Sequence, residues 1–178
     1  MNTIAIIGLV VGIIGIILII VITIYNKYQY SLIKINKGEL NISTNLEQKY
    51  DILLRYTDFL RNNITINEED FDEYKTINLK QSINKLNKKL NKMNNAINKY
   101  LDNNEQLLKN ETVLNIEKEL MDVNIKINGR KKYYNDNLVI YNHLCKAFPS
   151  NIVGKIFKYH EKEFIDNDTE EQLKILEE

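Results

Sequence analysis

The stretch that decides the architecture of this chain is IAIIGLVVGIIGIILIIVITI, which runs from Ile4 to Ile24. It carries no charged side chain, and nearly every position is Ile, Val, Leu, Ala or Gly. Its length is close to the ~20 residues that a helix needs to cross the hydrocarbon core of a bilayer. The stretch therefore predicts one transmembrane helix, over residues 4–25, with a short extracytoplasmic N-terminus, residues 1–3, before it.

A cleaved signal peptide is the alternative interpretation of this stretch. However, no Lys or Arg precedes it, and it is longer than the apolar core of about 7–15 residues that signal peptides have. The sequence that follows it, Tyr25-Asn26-Lys27-Tyr28, is bulky and polar, whereas a cleavage site needs small residues. These features favour an anchor that is retained.

The residues that flank the span predict its orientation. No basic side chain precedes it, whereas Lys27, Lys34 and Lys37 follow it. Because basic residues concentrate on the cytoplasmic side of membrane helices, we expect a single-pass cell-membrane protein with its N-terminus outside and its helical domain in the cytoplasm. Three tyrosines at this end of the span are expected in the headgroup layer: Tyr25, Tyr28 and Tyr30.

Two glycines inside the span bear on self-association. Gly8 and Gly12 are four residues apart, so they share one helix face and allow a second helix to approach closely. Such a spacing also arises by chance in glycine-containing spans. The sequence therefore leaves two alternatives, a monomer and a homo-oligomer that packs through this face.

The chain beyond the span predicts an all-α domain over residues 26–165, and then an acidic, loosely ordered tail over residues 166–178. Apolar residues recur at steps of three and four along three long segments, at the ~3.5-residue average of a coiled-coil seam. We therefore expect an antiparallel bundle of three long helices. Their expected ranges are from the membrane to about Asn62, from Glu68 to Asn104 and from Glu111 to Ala147.

Each of these helices has an expected core stripe. The first stripe comprises Leu32, Ile35, Ile42, Leu46, Leu53, Tyr56 and Leu60. The second comprises Leu79, Ile83, Leu86, Leu90, Met93, Ile97 and Tyr100. The third comprises Val113, Ile116, Leu120, Val123, Ile127, Tyr134, Leu138, Tyr141, Cys145 and Phe148. Glu39 and Lys49 interrupt the first stripe and Arg130 interrupts the third, while Gly38 is the weakest point of a first helix that continues straight from the span.

A short helix is expected at the C-terminal end of the domain. Pro149 ends the third long helix, because the residue before a proline disfavours the helical conformation. Ser150 can cap a further helix from Asn151 to Phe157. The apolar patch of this helix comprises Ile152, Val153, Ile156 and Phe157.

Composition and motifs exclude several functions. The 24 basic and 24 acidic side chains balance, so a basic nucleic-acid binder is not expected. The single cysteine, Cys145, permits no intrachain disulfide. His143 and His160 lack the paired spacing of a zinc helix, and no glycine-rich phosphate loop is present. We therefore predict no catalytic, cofactor or metal site.

The segment that is densest in tyrosines with neighbouring Asn and Asp residues is GRKKYYNDNLVIYNHLCKAFPSNIVGKIF, residues 129–157. Its motif residues are Arg130, Tyr134, Asn135, Asp136, Tyr141, Asn142, Phe148, Pro149, Ser150 and Asn151. In order and spacing they resemble the hallmark of the LemA family of membrane-anchored bacterial proteins. Residues 46–53, LEQKYDIL, are similar to that family's Leu-x-x-Arg-Tyr-Asp-Leu-Ile. The resemblance implies an antiparallel helical bundle on a membrane anchor, and it implies no established reaction.

The motif residues have two interpretations. They either fix the register of a polar-rich core, as buried tyrosines with Asn and Asp partners do, or they bind a partner. For the whole protein we expect a non-enzymatic scaffold or regulator of other membrane or envelope proteins. An adaptor subunit of a membrane peptidase or similar envelope complex is the alternative. An enzyme of unrecognised type, using Asp136 with Tyr134, is the least favoured.

Overall fold

A computed structural model describes residues 3–165, and within this range every regular element is helical. The helices are α1 (Thr3–Asn63), α2 (Glu69–Asp72), α3 (Ile83–Asp102), α4 (Glu111–Lys146) and α5 (Ser150–Ile156), with a 3-10 turn at Leu107–Lys109. The all-α bundle predicted from the sequence is confirmed. The predicted tail, residues 166–178, and the first two residues lie outside the described range.

The chain forms two compact units. The first unit comprises the described residues up to Lys37 together with Tyr134–Phe164, and the second comprises Gly38–Tyr133 with Ile165. α1 and α4 each contribute residues to both units. α1 continues through Gly38 without a break, as the sequence predicted, and Gly38 itself is buried.

Phe148, predicted as the last member of the third apolar stripe, is instead 80% exposed, because it lies beyond the end of α4. The core of the second unit consists of parts of the three predicted stripes. Its buried members include Ile42, Leu46, Leu53, Tyr56 and Leu60 of α1, Leu86, Leu90, Met93 and Ile97 of α3, and Val113, Ile116, Leu120, Val123 and Ile127 of α4. The Tyr56 hydroxyl donates to Glu117 Oε1 at 2.7 Å, and Arg55 pairs with Glu119. As the residue number rises from Arg55 to Tyr56 on α1, that of the partner on α4 falls from Glu119 to Glu117, as expected for antiparallel helices.

The predicted second helix is wrong over its first half. Only α2 is helical there, and turns and irregular backbone occupy residues 73–82 before α3 begins. The Tyr50 hydroxyl donates to Tyr74 O at 2.7 Å, and Asn78 Oδ1 accepts the amide of Lys80 at 2.9 Å. An Asn side chain that bonds the backbone locally competes with the helix, and the contact with Tyr50 is a tertiary one that periodicity does not reveal.

Two details at the end of α4 also differ from prediction. α4 ends at Lys146, one residue before Ala147, and α5 begins at Ser150 rather than Asn151. Ser150 does not cap α5, because its Oγ instead donates backwards to Ala147 O at 2.8 Å. Ala147 O also accepts the Asn151 amide at 2.8 Å, so Ser150 adds a second hydrogen bond to this carbonyl at the junction of α4 and α5.

The N-terminal part of α1 matches the predicted span. Apart from the half-buried Val21, its large apolar side chains from Ile4 to Ile22 are exposed, each by 44% or more. Among residues 3–165, α1 is the one helix long and apolar enough to cross a membrane, and its most apolar stretch has no buried residue. Protein packing begins just after this stretch, where Ile24 is 8% and Tyr28 0% exposed.

Candidate functional site

Tyr28 lies at the centre of the first unit. Its hydroxyl donates to Leu144 O at 2.7 Å, with Ser150 O at 3.2 Å from the same oxygen. One tyrosine on α1 therefore holds both the end of α4 and the start of α5. The Tyr28 hydroxyl therefore finds its partners inside the protein, and the expected position of this residue in the headgroup layer stays a prediction.

Aromatic rings enclose Tyr28. The Tyr159 ring stacks on it with centroids 4.5 Å apart, and the Tyr141 ring meets it edge-on at 5.8 Å. Gln29 Nε2 donates to the Tyr159 hydroxyl at 2.6 Å, which fixes the stacked ring. The sequence marked Tyr141 as a motif residue, but it gave no sign that Tyr28 and Tyr159 belong to the same cluster.

Burial sets the acid–base chemistry of this cluster. It raises the pKa of the Tyr141 hydroxyl to about 12 and raises the pKa of Tyr28 as well, with Cys145 adding to both shifts. Burial also raises the pKa of the Cys145 thiol. All three groups therefore keep their protons near neutral pH, which suits hydrogen-bond donors in a packed core rather than nucleophiles.

Gly154 is required by the close approach of α5 to Tyr28. A Cβ atom at position 154 would lie 2.5 Å from the Tyr28 hydroxyl oxygen and 3.2 Å from its Cζ. Real Cβ atoms essentially never come this near to other atoms, so any larger residue would force Tyr28 to shift. The sequence showed Gly154 as an isolated glycine, and its role follows from the fold alone.

Asn142 holds the segment that follows α5. Its Nδ2 donates to Lys162 O at 2.9 Å, and its Oδ1 accepts the Lys162 amide at 3.0 Å. The side-chain amide of Asn142 thereby makes the same pair of hydrogen bonds to the backbone of Lys162 that a neighbouring β-strand would make. Since Asn142 is 9% exposed, the loss of either bond would leave a largely covered polar group without a partner.

The motif residues divide into two sets. Tyr134, Asn135, Tyr141, Asn142 and Ser150 are buried. Arg130, Asp136, Phe148, Pro149 and Asn151 are partly or fully exposed. Tyr141 and Ser150 contact Tyr28, and Asn142 of the same unit binds Lys162, whereas Arg130 belongs to the second unit. Whether any of the ten binds a partner stays a prediction.

The second unit holds a polar contact that the sequence did not predict. Lys49, an interruption of the apolar stripe, is 3% exposed and donates to Asn91 Oδ1 at 2.7 Å. Burial, with a smaller contribution from the charge of Lys131, lowers the pKa of Lys49 to about 8. Lys49 occupies the position at which the LemA-like pattern has arginine. Its position on the apolar stripe of α1 was the one sequence feature that could have predicted its burial.

Asn91 also lines an open groove beside α3. The groove has a volume of about 500 Å³. Its lining comprises Asn84, Asn87, Lys88, Asn91, Lys92, Asn95 and Ile165. Within residues 3–165, no three His, Cys, Asp or Glu side chains form a group that could hold a metal ion.

These features together define an all-α protein, in which a helical bundle includes a helix with a long, exposed apolar N-terminal segment. The chain belongs to the LemA family, whose model matches residues 40–175. This match confirms the family resemblance seen in the sequence motifs. No curated protein and no solved structure matches the chain.

Proposed function

We propose that this chain is a membrane-anchored, non-enzymatic protein that scaffolds or regulates other membrane or envelope proteins. The observation that carries the proposal is the exposed apolar surface of α1 from Ile4 to Ile22. Burial of one such side chain contributes about 1.5–3 kcal/mol, so the whole segment strongly favours a bilayer over water. Exposed apolar patches beyond a few hundred Å² mark interaction or membrane surfaces.

The lysines after the span support an orientation with the N-terminus outside and the helical domain in the cytoplasm. Two full-length fusions test it, one with a reporter before Met1 and one with a reporter after Glu178. Alkaline phosphatase folds into its active form outside the cytoplasm, and green fluorescent protein fluoresces inside. We expect fluorescence from the C-terminal fusion and phosphatase activity from the N-terminal one; the reverse pattern would contradict the orientation.

The scaffold role predicts a protein partner for the cytoplasmic surface. Ile140, within the motif segment of α4, is 56% exposed and provides a position for a photo-crosslinking amino acid. Ile125, 59% exposed on the same helix but outside that segment, is the matched control. We expect a defined membrane-protein adduct at Ile140 and none at Ile125. Membranes that yield neither an adduct nor a self-contact would contradict the role.

The adaptor hypothesis predicts a particular partner in the same experiment. Asp136 and Ile140 are exposed on α4 within the motif segment, so they offer a surface for docking. A membrane peptidase in the Ile140 adduct, lost in an Asp136→Lys variant, would favour an adaptor over a general scaffold. The enzyme hypothesis has less support, since Tyr134 is buried and Asp136 is exposed.

A further inference from the structure

Four exposed apolar side chains lie at and around α5, in the same unit as the predicted span. They are Phe148, Ile152, Ile156 and Phe157, and we name them the α5 apolar face. Their exposed fractions are 80%, 50%, 66% and 44%. The side of α5 opposite Ile152 and Ile156 is already packed, because Ser150, Val153 and Gly154 are buried.

Phe157 places this face near one end of the span. Its ring lies against that of Tyr25 on α1, with centroids 4.9 Å apart. Tyr25 follows Ile22, the last residue of the exposed apolar stretch, by three positions, or about 4.5 Å along the helix. The exposed stretch from Ile4 to Ile22 would itself be about 29 Å long, which matches the ~30 Å hydrocarbon core. The membrane boundary and Phe157 therefore fall at nearly the same level of α1.

The charges near α5 suit a lipid headgroup layer. From Phe148 to His160 there are two lysines, Lys155 and Lys158, and no acidic side chain. Both lysines are exposed. An apolar face flanked by basic residues is typical of a helix that lies in the membrane plane, where anionic headgroups attract the lysines.

We propose that α5 lies in the headgroup region of the bilayer that α1 crosses, with its apolar face at the acyl boundary. This inference rests on the membrane anchor of the proposed function. The bilayer is the favoured occupant because the face adjoins the end of the span. With Tyr28 holding α5 against α1 and α4, the protein would then contact the bilayer both by its span and by a second, rigidly attached element.

Tryptophan fluorescence tests the inference cleanly, because the chain contains no tryptophan. Full-length variants with one tryptophan each are placed in vesicles of phosphatidylcholine and phosphatidylglycerol that carry brominated acyl chains. Ile156→Trp reports the α5 apolar face. Ile13→Trp reports the span, and Ile140→Trp, a similarly exposed isoleucine on α4 outside the α5 apolar face, is the matched control.

We expect bromines near the headgroup end of the chains to quench Ile156→Trp several-fold more than Ile140→Trp, with a blue-shifted emission. Bromines near the bilayer centre should quench Ile13→Trp most. Ile152→Trp, one turn away on the same face, repeats the measurement if Ile156→Trp folds poorly.

Quenching of Ile156→Trp no greater than that of Ile140→Trp, while Ile13→Trp is quenched, would overturn the inference and leave the anchor intact. An Ile156→Trp residue shielded from both bromine and aqueous acrylamide would mean that protein, such as a second copy, covers the face, which also overturns it. If Ile13→Trp escapes quenching too, the anchor itself fails.

Discussion

Gly154 lies directly against the hydroxyl of Tyr28, 126 positions earlier in the chain, so that a Cβ atom at this position would approach the oxygen to 2.5 Å. The same hydroxyl donates to Leu144 O. The first unit is thus built around one tyrosine and the one residue type that permits α5 to reach it.

Gly154→Ala should destabilise the chain, because the new methyl group displaces Tyr28 from its partners. Overpacking of this kind costs about 1–3 kcal/mol, which outweighs the helix propensity that alanine adds. The measurement is the free energy of unfolding of the full chain in detergent. Gly129→Ala is the matched control: nothing lies within 4 Å of its Cβ position, so we expect it to stabilise α4 by roughly 0.5–1 kcal/mol. Equal effects of the two substitutions would contradict the proposed contact.

A double-mutant cycle isolates the same contact. Tyr28→Phe removes the hydroxyl oxygen, so Gly154→Ala should cost less in the Tyr28→Phe background than in the natural chain. Tyr28→Phe alone should destabilise the chain by about 1–3 kcal/mol, because Leu144 O loses its donor. Strictly additive costs would show that the methyl group does not meet the hydroxyl.

Asn142→Leu should release the segment around Lys162. Leucine neither donates to Lys162 O nor accepts its amide, so that amide loses its protection from solvent exchange. Loss of about 1.4 kcal/mol of local stability corresponds to a tenfold faster exchange of the Lys162 amide. His143→Ala, at the exposed neighbouring position, is the control and should leave that exchange rate unchanged. Slow exchange in Asn142→Leu would refute the clamp.

Lys158→Gly should stabilise the end of α5. Lys158 has a φ angle of 59°, in the left-handed region that costs non-glycine residues roughly 1–2 kcal/mol. Glycine removes this cost but gains freedom in the unfolded chain, so we expect a net gain of about 0.5–1 kcal/mol. Lys155→Gly, inside α5, should instead cost about 1 kcal/mol. Thermal unfolding of both variants in detergent checks the sign, and a loss in Lys158→Gly would contradict the prediction.

Lys49 should make stability rise with pH in the mildly alkaline range. Its pKa is lowered from 10.5 to about 8, mainly by burial, so the folded chain releases this proton at a lower pH than the unfolded chain does. Between these values the unfolded chain binds more protons, and stability gains roughly 3 kcal/mol in total. Above pH 10 the trend should reverse, because burial raises the pKa of Tyr141 to about 12 and its unfolded-state ionisation then favours unfolding.

Lys49→Met separates the contribution of Lys49 to the pH dependence of stability from the contribution of the tyrosines. Denaturant unfolding between about pH 7.5 and 9.5 should give a flatter pH dependence and a higher stability at the lower pH, since no buried charge remains. Lys88→Met removes an exposed lysine from α3 and serves as the control. An unchanged slope in Lys49→Met would show that Lys49 is not the group responsible.

Much of the fold could be predicted from local pattern. The apolar run to Ile24, the steps of three and four in α3 and α4, and Pro149 after the last turn of α4 each identify an element from adjacent residues. The interval 73–82 could not be predicted in this way, because Tyr50 of α1 binds the Tyr74 carbonyl there. The spacing of apolar residues is a local property of the sequence, so it does not reveal a hydrogen bond from a helix that is distant in the chain.

The sequence by itself determined the apolar helix, the all-α class and the family, since each depends on residue types at fixed spacings. It also drew attention to Tyr141 and Asn142, as part of a dense motif. Only the tertiary structure decided what these residues do, because Tyr28 and Leu144 are 116 positions apart. Physical contact between such distant residues depends on how the helices pack, and this packing also placed Gly154 against Tyr28 and turned Lys49 inward.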